Sequence, residues 1–311
     1  MLTLPNTDLQ VFPLCLGGNV FGWTADQAQS FRVLDAFREG GGNFIDTADT
    51  YSSWVPGNQG GESETILGRW LKARGGRERV VIATKVGKLP SLLGLSRGTI
   101  ERAVEASLAR LQTDYIDLYY AHEDDAKVPL EESLGAFDAL VRTGKVRHIA
   151  ASNYSPARLE ESLRVAAARG LSRWVALQPH YNLLERAVYE DELRDVVARN
   201  GLSCLPYFAL AKGFLSGKYR AANSAGESAR AGAAKAYLDP RGLQVLNALD
   251  EVARDRAASV TAVALAWLRA QPTVSTPIAS ARTTEQVAQL LEGGRLTLNA
   301  DDLAKLNHAS R

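Results

Sequence analysis

The strongest constraint on this 311-residue chain is an alternation: short apolar runs of strand length recur between longer segments of helical period. The runs fall at 13–17, 43–45, 80–84, 116–120, 146–150, 174–178, 203–206 and 273–276. Between them lie amphipathic stretches such as 99–111, where Ile100, Ala103, Val104, Leu108 and Leu111 recur at helical spacing and Glu101, Arg102, Glu105 and Arg110 lie elsewhere. Near-continuous apolar strands, each followed by a helix, need both faces covered, which implies a parallel sheet with helices outside it. Eight such units predict a closed α/β (β/α)8 TIM barrel, read as a single domain over 1–311. Pro156 after Ser155 predicts a helix start, and Gly40, Gly144 and Gly170 predict helix ends. Residues 1–12 read as a β-hairpin turning at Pro5-Asn6-Thr7-Asp8 and plugging the bottom of the barrel. The Ala/Ser/Gly-rich stretch 221–235 reads as a mobile loop after the seventh strand.

Composition removes several function classes. Lys and Arg number 36 against 35 Asp and Glu, so the chain lacks the charge bias of a nucleic-acid binder. No apolar run reaches the ~18 residues of a membrane span, and MLTLPNTDLQ lacks the pattern of a secretory leader, so a cytoplasmic location is expected. Cys15 and Cys204 each sit in an apolar run and read as small buried hydrophobes. There is no H-E-x-x-H and no Cys-x-x-Cys, and no metal site is expected. Gly17-Gly18-Asn19-Val20-Phe21-Gly22 fails the spacing of a Rossmann fingerprint, and the stretch from Gly213 to Tyr219 fails that of a phosphate loop. No tyrosine has a lysine four residues later, which excludes the short-chain dehydrogenase pattern. His148, His180 and His308 read as structural or surface residues. The sequence leaves oligomeric state open.

In a barrel of this type the functional groups come from the C-terminal ends of different strands. The second proposed strand leads into Asp46 with Tyr51 on the loop beyond, the third into Lys85, and the fourth towards His122. A phenol with a pKa near ~10 donates a proton at neutral pH only if a neighbouring cation stabilises its phenolate. Lys85 could do this, Asp46 could hold Lys85 in place, and His122 could donate a hydrogen bond to a carbonyl oxygen. The set suits polarising and protonating a carbonyl.

The segments Asn43-Phe44-Ile45-Asp46-Thr47-Ala48-Asp49-Thr50-Tyr51, Ala83-Thr84-Lys85, Tyr119-Tyr120-Ala121-His122 and Ala151-Ser152-Asn153-Tyr154-Ser155 strongly resemble the aldo-keto reductase superfamily, collinearly and over nearly the whole chain. The resemblance implies reduction of an aldehyde or ketone, a small-molecule carbonyl substrate, by a nicotinamide cofactor. In it Tyr51 is the general acid, Lys85 and Asp46 its tuning pair, and His122 the carbonyl-orienting residue. It also implies that Ser152, Asn153 and Gln178 bind the carboxamide, that Tyr207 stacks on the nicotinamide, and that the backbone of Leu210 to Leu215, with Gly213, and the Lys218 ammonium follow the pyrophosphate. Ser280, Arg282, Gln286 and Gln289 fall on the adenosine-phosphate segment. Arg282 there suits a 2′-phosphate and favours NADPH/NADP+. Phe208-Ala209 replaces the more usual Ser-Pro after Tyr207, which would reshape the pyrophosphate loop. Trp23 and Trp54 are expected to wall the substrate pocket. The alternatives on the same scaffold are a cofactor-binding regulatory subunit and an alcohol or sugar dehydrogenase running the reverse reaction.

Overall fold

The period-two placement of side chains on the apolar runs decides the architecture. The computed structural model describes residues 1–220, 229 and 231–311. Its strands in chain order are β1 (Leu2–Thr3), β2 (Gln10–Val11), β3 (Cys15–Gly17), β4 (Phe44–Asp46), β5 (Val81–Val86), β6 (Lys88–Leu89), β7 (Leu92–Leu93), β8 (Ile116–Ala121), β9 (Val146–Ser152), β10 (Trp174–Gln178), β11 (Ser203–Cys204) and β12 (Ile278–Ala279). Eight of them form one sheet in the order β11-β10-β9-β8-β5-β4-β3-β12, every neighbouring pair parallel. Backbone bonds from Cys204 N to Thr273 O (2.9 Å), Ser275 N to Cys204 O (3.0 Å) and Ile278 N to Pro206 O (2.9 Å) join the two ends. The result is the expected (β/α)8 barrel.

Alternate residues face opposite cores. On β5, Val81 and Ala83 join Phe44, Leu118, Tyr120, Ala150 and Ala176 in the cluster inside the barrel, while Ile82 and Val86 pack outward. The helix Arg97–Leu111 shows how the outer layer is built. Ser96 caps its first turn, and Ile100, Ala103, Val104, Leu108 and Leu111 are buried, the face expected from the sequence. Ser155 and Pro156 open the helix Pro156–Arg169, and a left-handed Gly170 ends it.

The N-terminal hairpin closes the lumen from below. β1 and β2 pair antiparallel, and Leu4, Leu9 and Val11 are buried in the same inner cluster as the barrel strands. Cys15 and Cys204 are buried free thiols whose pKa values burial pushes up.

Two expectations need correction. The eighth ladder strand lies at Ile278–Ala279, not at 273–276. The earlier segment touches β11 only through an isolated bridge at Val274, because Thr273 takes a left-handed φ of 69° and Pro277 has no N–H to donate. In the stretch read as a mobile loop, 221–228 and 230 lie outside the described residues, and Ala231–Lys235 forms a short helix.

Because Leu9 is buried in the lumen, Leu9→Ala should lower the unfolding free energy by about 2–5 kcal/mol in urea denaturation. A change under about 0.5 kcal/mol would show that the hairpin does not seal the barrel.

Candidate active site

The alternation that sends Val81 and Ala83 into the lumen sends Lys85 there too, at the upper end of β5. Its side chain is completely buried, and its Nζ donates to Asp46 Oδ2 (2.6 Å), the Thr47 carbonyl (2.7 Å) and the Tyr51 hydroxyl (2.9 Å). Tyr51 donates in turn to Asp46 Oδ2 (3.1 Å), and Gln178 Nε2 occupies Asp46 Oδ1 (3.0 Å). Asp46 comes from β4, Lys85 from β5, Gln178 from β10, and Tyr51 from the turn after β4, so four separated segments meet at one buried pair. Burial lowers the Lys85 pKa, and the Asp46 charge opposes that fall.

His122 follows β8 and stands near Tyr51, with ring centroids 6.2 Å apart. Burial first, then the charges of Lys85 and Lys88, hold its pKa well below the usual histidine value. The imidazole is therefore neutral at physiological pH and can donate a hydrogen bond without being an acid. Its Nδ1 is buried and has no hydrogen-bond partner among the described residues. The four groups can hold a carbonyl oxygen and pass it a proton.

A cavity of about 790 Å³ opens above them. Asp46, Tyr51, Trp54 and His122 line it together with Ser152, Asn153, Gln178, Tyr207, Leu210, Gly213, Lys218, Ser280, Arg282, Gln286 and Gln289. Three expected residues are elsewhere. Lys85 lies behind Tyr51, Trp23 packs edge-on against Trp54 (5.6 Å), and Leu215 is buried in the core with its amide bonded to the Leu210 carbonyl (3.1 Å). The cavity wall also carries strained backbone. Asn153, Phe208 and Lys212 are left-handed at φ 56°, 52° and 58°, each at a cost of about 1–3 kcal/mol. Phe208 adopts this conformation where the sequence departs from Ser-Pro, and Gly213 follows at φ 100°, a region only glycine enters freely.

The cavity's electrostatics are one-sided. Lys212, Lys218 and Arg282 line it, and none pairs with a carboxylate among the described residues. The Lys212 ammonium lies over the Phe208 and Tyr237 rings, and that of Lys218 over Tyr219. The only carboxylate on the wall among the described residues, Asp46, is already held by Lys85. Arg282 precedes the helix Thr284–Arg295, and its amide donates to Gln286 Oε1 (2.7 Å). Three cations and a helix N-terminus suit a ligand with several phosphates.

Residues 13–311 match the sequence pattern of the Aldo/keto reductase family. The chain belongs to that family. It is 35% identical to an uncharacterized oxidoreductase of Bacillus subtilis, YrpG, over 98% of this chain and 94% of that protein. It is 29% identical to norsolorinic acid reductase A of Aspergillus parasiticus, over 98% and 79% of the two chains. It is also 31% identical to a probable voltage-gated potassium channel subunit beta of rice, over 92% and 88%. As an aldo/keto reductase the chain is an oxidoreductase of carbonyl compounds.

Sequence reasoning passed over several groups at the aldo/keto reductase site. Lys88 and Lys212 line the cavity but sit in segments with no periodic pattern, a hairpin and a kinked 3₁₀ turn. His180, read as structural or surface, stacks on the Tyr207 ring (5.4 Å, 18° between planes). The Tyr207 hydroxyl donates to Asn153 Oδ1 (2.9 Å), whose amide donates to the His122 carbonyl (2.9 Å), so Tyr207 and His122 are mechanically linked.

Asp49 is also fully buried, three residues beyond Asp46. Burial, then the nearby charge of Glu64, pushes its carboxyl up to about 8. The folded chain therefore keeps a proton that the unfolded chain releases near ~4, so Asp49 destabilises the fold as pH rises between those values. Asp49→Asn should gain stability over wild type as pH rises from 5 to 8, measured by thermal melts at each pH. A gap between the two proteins that stays constant would show that Asp49 is ionised in the fold.

Proposed function

We propose that this chain reduces an aldehyde or ketone to an alcohol with NADPH, with Tyr51 as the proton donor. The observation that carries the proposal is the Tyr51 hydroxyl held between Lys85 and Asp46 on the wall of a cavity that also presents three cations without carboxylate partners among the described residues. When bound, NADPH would supply the hydride for the carbonyl carbon, becoming NADP+. Tyr51 gives its proton to the carbonyl oxygen, and the Lys85 ammonium stabilises the resulting phenolate. His122, kept neutral, donates a hydrogen bond that orients the same oxygen.

The cofactor roles follow from the donors present. Asn153 and Gln178 offer amides, and Ser152 a hydroxyl, beside the reacting groups. The open face of Tyr207 suits the nicotinamide ring, its other face resting on His180. Leu210, Gly213, Lys212 and Lys218 suit the pyrophosphate, and Ser280, Arg282, Gln286 and Gln289 the phosphorylated adenosine. Trp54, backed by Trp23, walls the substrate end. In this reading residues 1–311 act as one domain in the cytoplasm.

Tyr51→Phe should lower kcat for carbonyl reduction by about 10²–10⁴-fold while NADPH affinity, followed by fluorescence, stays within about twofold. A variant with near-wild-type turnover would remove Tyr51 from the role. Tight NADPH binding by wild type with no turnover of any aldehyde would overturn the enzymatic reading in favour of a binding subunit, the role carried by the name of the rice relative.

Arg282→Ala should weaken NADPH by about tenfold or more and leave NADH nearly unchanged in parallel titrations. Equal losses for the two would show that Arg282 does not read the 2′-phosphate.

A further inference from the structure

Three cations on the cavity wall are matched by the phosphates of a cofactor, and a fourth, Lys88, is not. It lies three residues beyond Lys85, where Gly87 at φ 116° turns the chain out of the barrel strand and into the β6–β7 hairpin. Lys88 thereby reaches the cavity wall shared by Tyr51, Trp54 and His122. Its backbone is fixed by pairing with Leu93 and by the Thr50 hydroxyl, which donates to its carbonyl (3.2 Å). Its charge is felt at His122, the residue placed to orient the carbonyl. The Nζ meets Glu123 Oε2 at 2.8 Å, and Glu123, the residue after His122, is about half exposed and does not line the cavity.

We propose that Lys88 is the anion-reading residue of the substrate pocket, and that the substrates preferred by this enzyme are aromatic carbonyl compounds that also carry a carboxylate. The proposal rests on the reductase reading and narrows its substrate class. Tyr51 and Trp54 offer ring faces and edges to an apolar body, with ring centroids 6.3 Å apart, and Trp23 backs Trp54. Among the described residues Lys88 is the cation at that end of the cavity. An ion pair as exposed as Lys88–Glu123 is weak, so Glu123 orients the ammonium and yields it to a carboxylate entering on a substrate. The substrate body then excludes water from the new pair and strengthens it. A neutral substrate of the same shape makes no such exchange.

The test compares 4-formylbenzoate with 4-methylbenzaldehyde, alike in shape and different in charge. With NADPH, kcat/KM is measured for both in wild type, Lys88→Met and Glu123→Gln, and the ratio within each protein is read. Wild type should favour 4-formylbenzoate, Lys88→Met should cut the ratio about tenfold, and Glu123→Gln should raise it. Raising salt should lower the wild-type ratio. A ratio unmoved by both substitutions overturns the proposal. Wild-type turnover of 4-methylbenzaldehyde separately supports the reductase reading. If wild type turns over neither aldehyde, Lys88 is judged apart from the reductase reading, by 4-formylbenzoate quenching of tryptophan fluorescence with NADP+ present. About tenfold weaker binding in Lys88→Met than in wild type supports the anion site, and equal binding overturns it.

Discussion

The buried ion pair of Lys85 and Asp46 is the interaction on which the rest of the site depends. Removing two charges from water costs several kcal/mol each, and mutual attraction offsets that cost only when the remaining donors and acceptors are satisfied. Here they are. The Thr47 carbonyl and the Tyr51 hydroxyl take the other lysine donors, and Gln178 takes the second carboxylate oxygen. Such a pair contributes little to stability, so what it supplies is position. It fixes the Tyr51 oxygen between a carboxylate that accepts its hydrogen bond and an ammonium that donates one to it. The barrel makes this possible because inward-facing positions at the ends of β4, β5 and β10 converge, and the N-terminal hairpin closes the other end.

The two halves of the cavity differ in kind. The wall suited to the cofactor is built from left-handed backbone at Asn153, Phe208, Lys212 and Gly213, cations without carboxylate partners among the described residues, and side chains tied to one another, such as Tyr207 to Asn153 and Gln286 to the Arg282 amide. That is a preorganised cradle for one chemical shape. The wall suited to substrate comes from the turn after β4, the β6–β7 hairpin and the loop after β8, and it carries an exposed apolar group, Trp54 at 49%. In the proposed reading, substrate choice is carried by short connections that can change without disturbing the buried pair.

The barrel was legible in the sequence because its signal is repeated. Eight apolar runs separated by helical periods leave few architectures, and Asp46, Lys85 and His122 follow from where the strands end. The first seven runs overlap the observed strands, and the eighth failed at 273–276 for a local reason: Thr273 and Pro277 break the ladder, so pairing resumes at Ile278. The meeting of Asp46, Tyr51, Lys85 and His122 was legible once the strand ends were located. Lys88 and Lys212 were not, because a two-residue hairpin strand and a kinked 3₁₀ turn have no period to read, and nothing in their composition distinguishes them from surface lysines. Nor was the high pKa of Asp49, which arises first from its complete burial and then from the charge of Glu64 on the helix Glu62–Arg74, neither of which sequence spacing announces.

The central claim is that Lys85 acts through Tyr51, the two forming one proton-donating unit. A double-mutant cycle on kcat tests it most directly, with Tyr51→Phe, Lys85→Met and the double variant assayed on one aldehyde with saturating NADPH. Groups that act as a unit are strongly non-additive, so the double variant should be about as slow as the slower single variant. Effects that multiply, with the double variant slower by the product of the two single losses, would contradict the claim and make Lys85 an independent contributor.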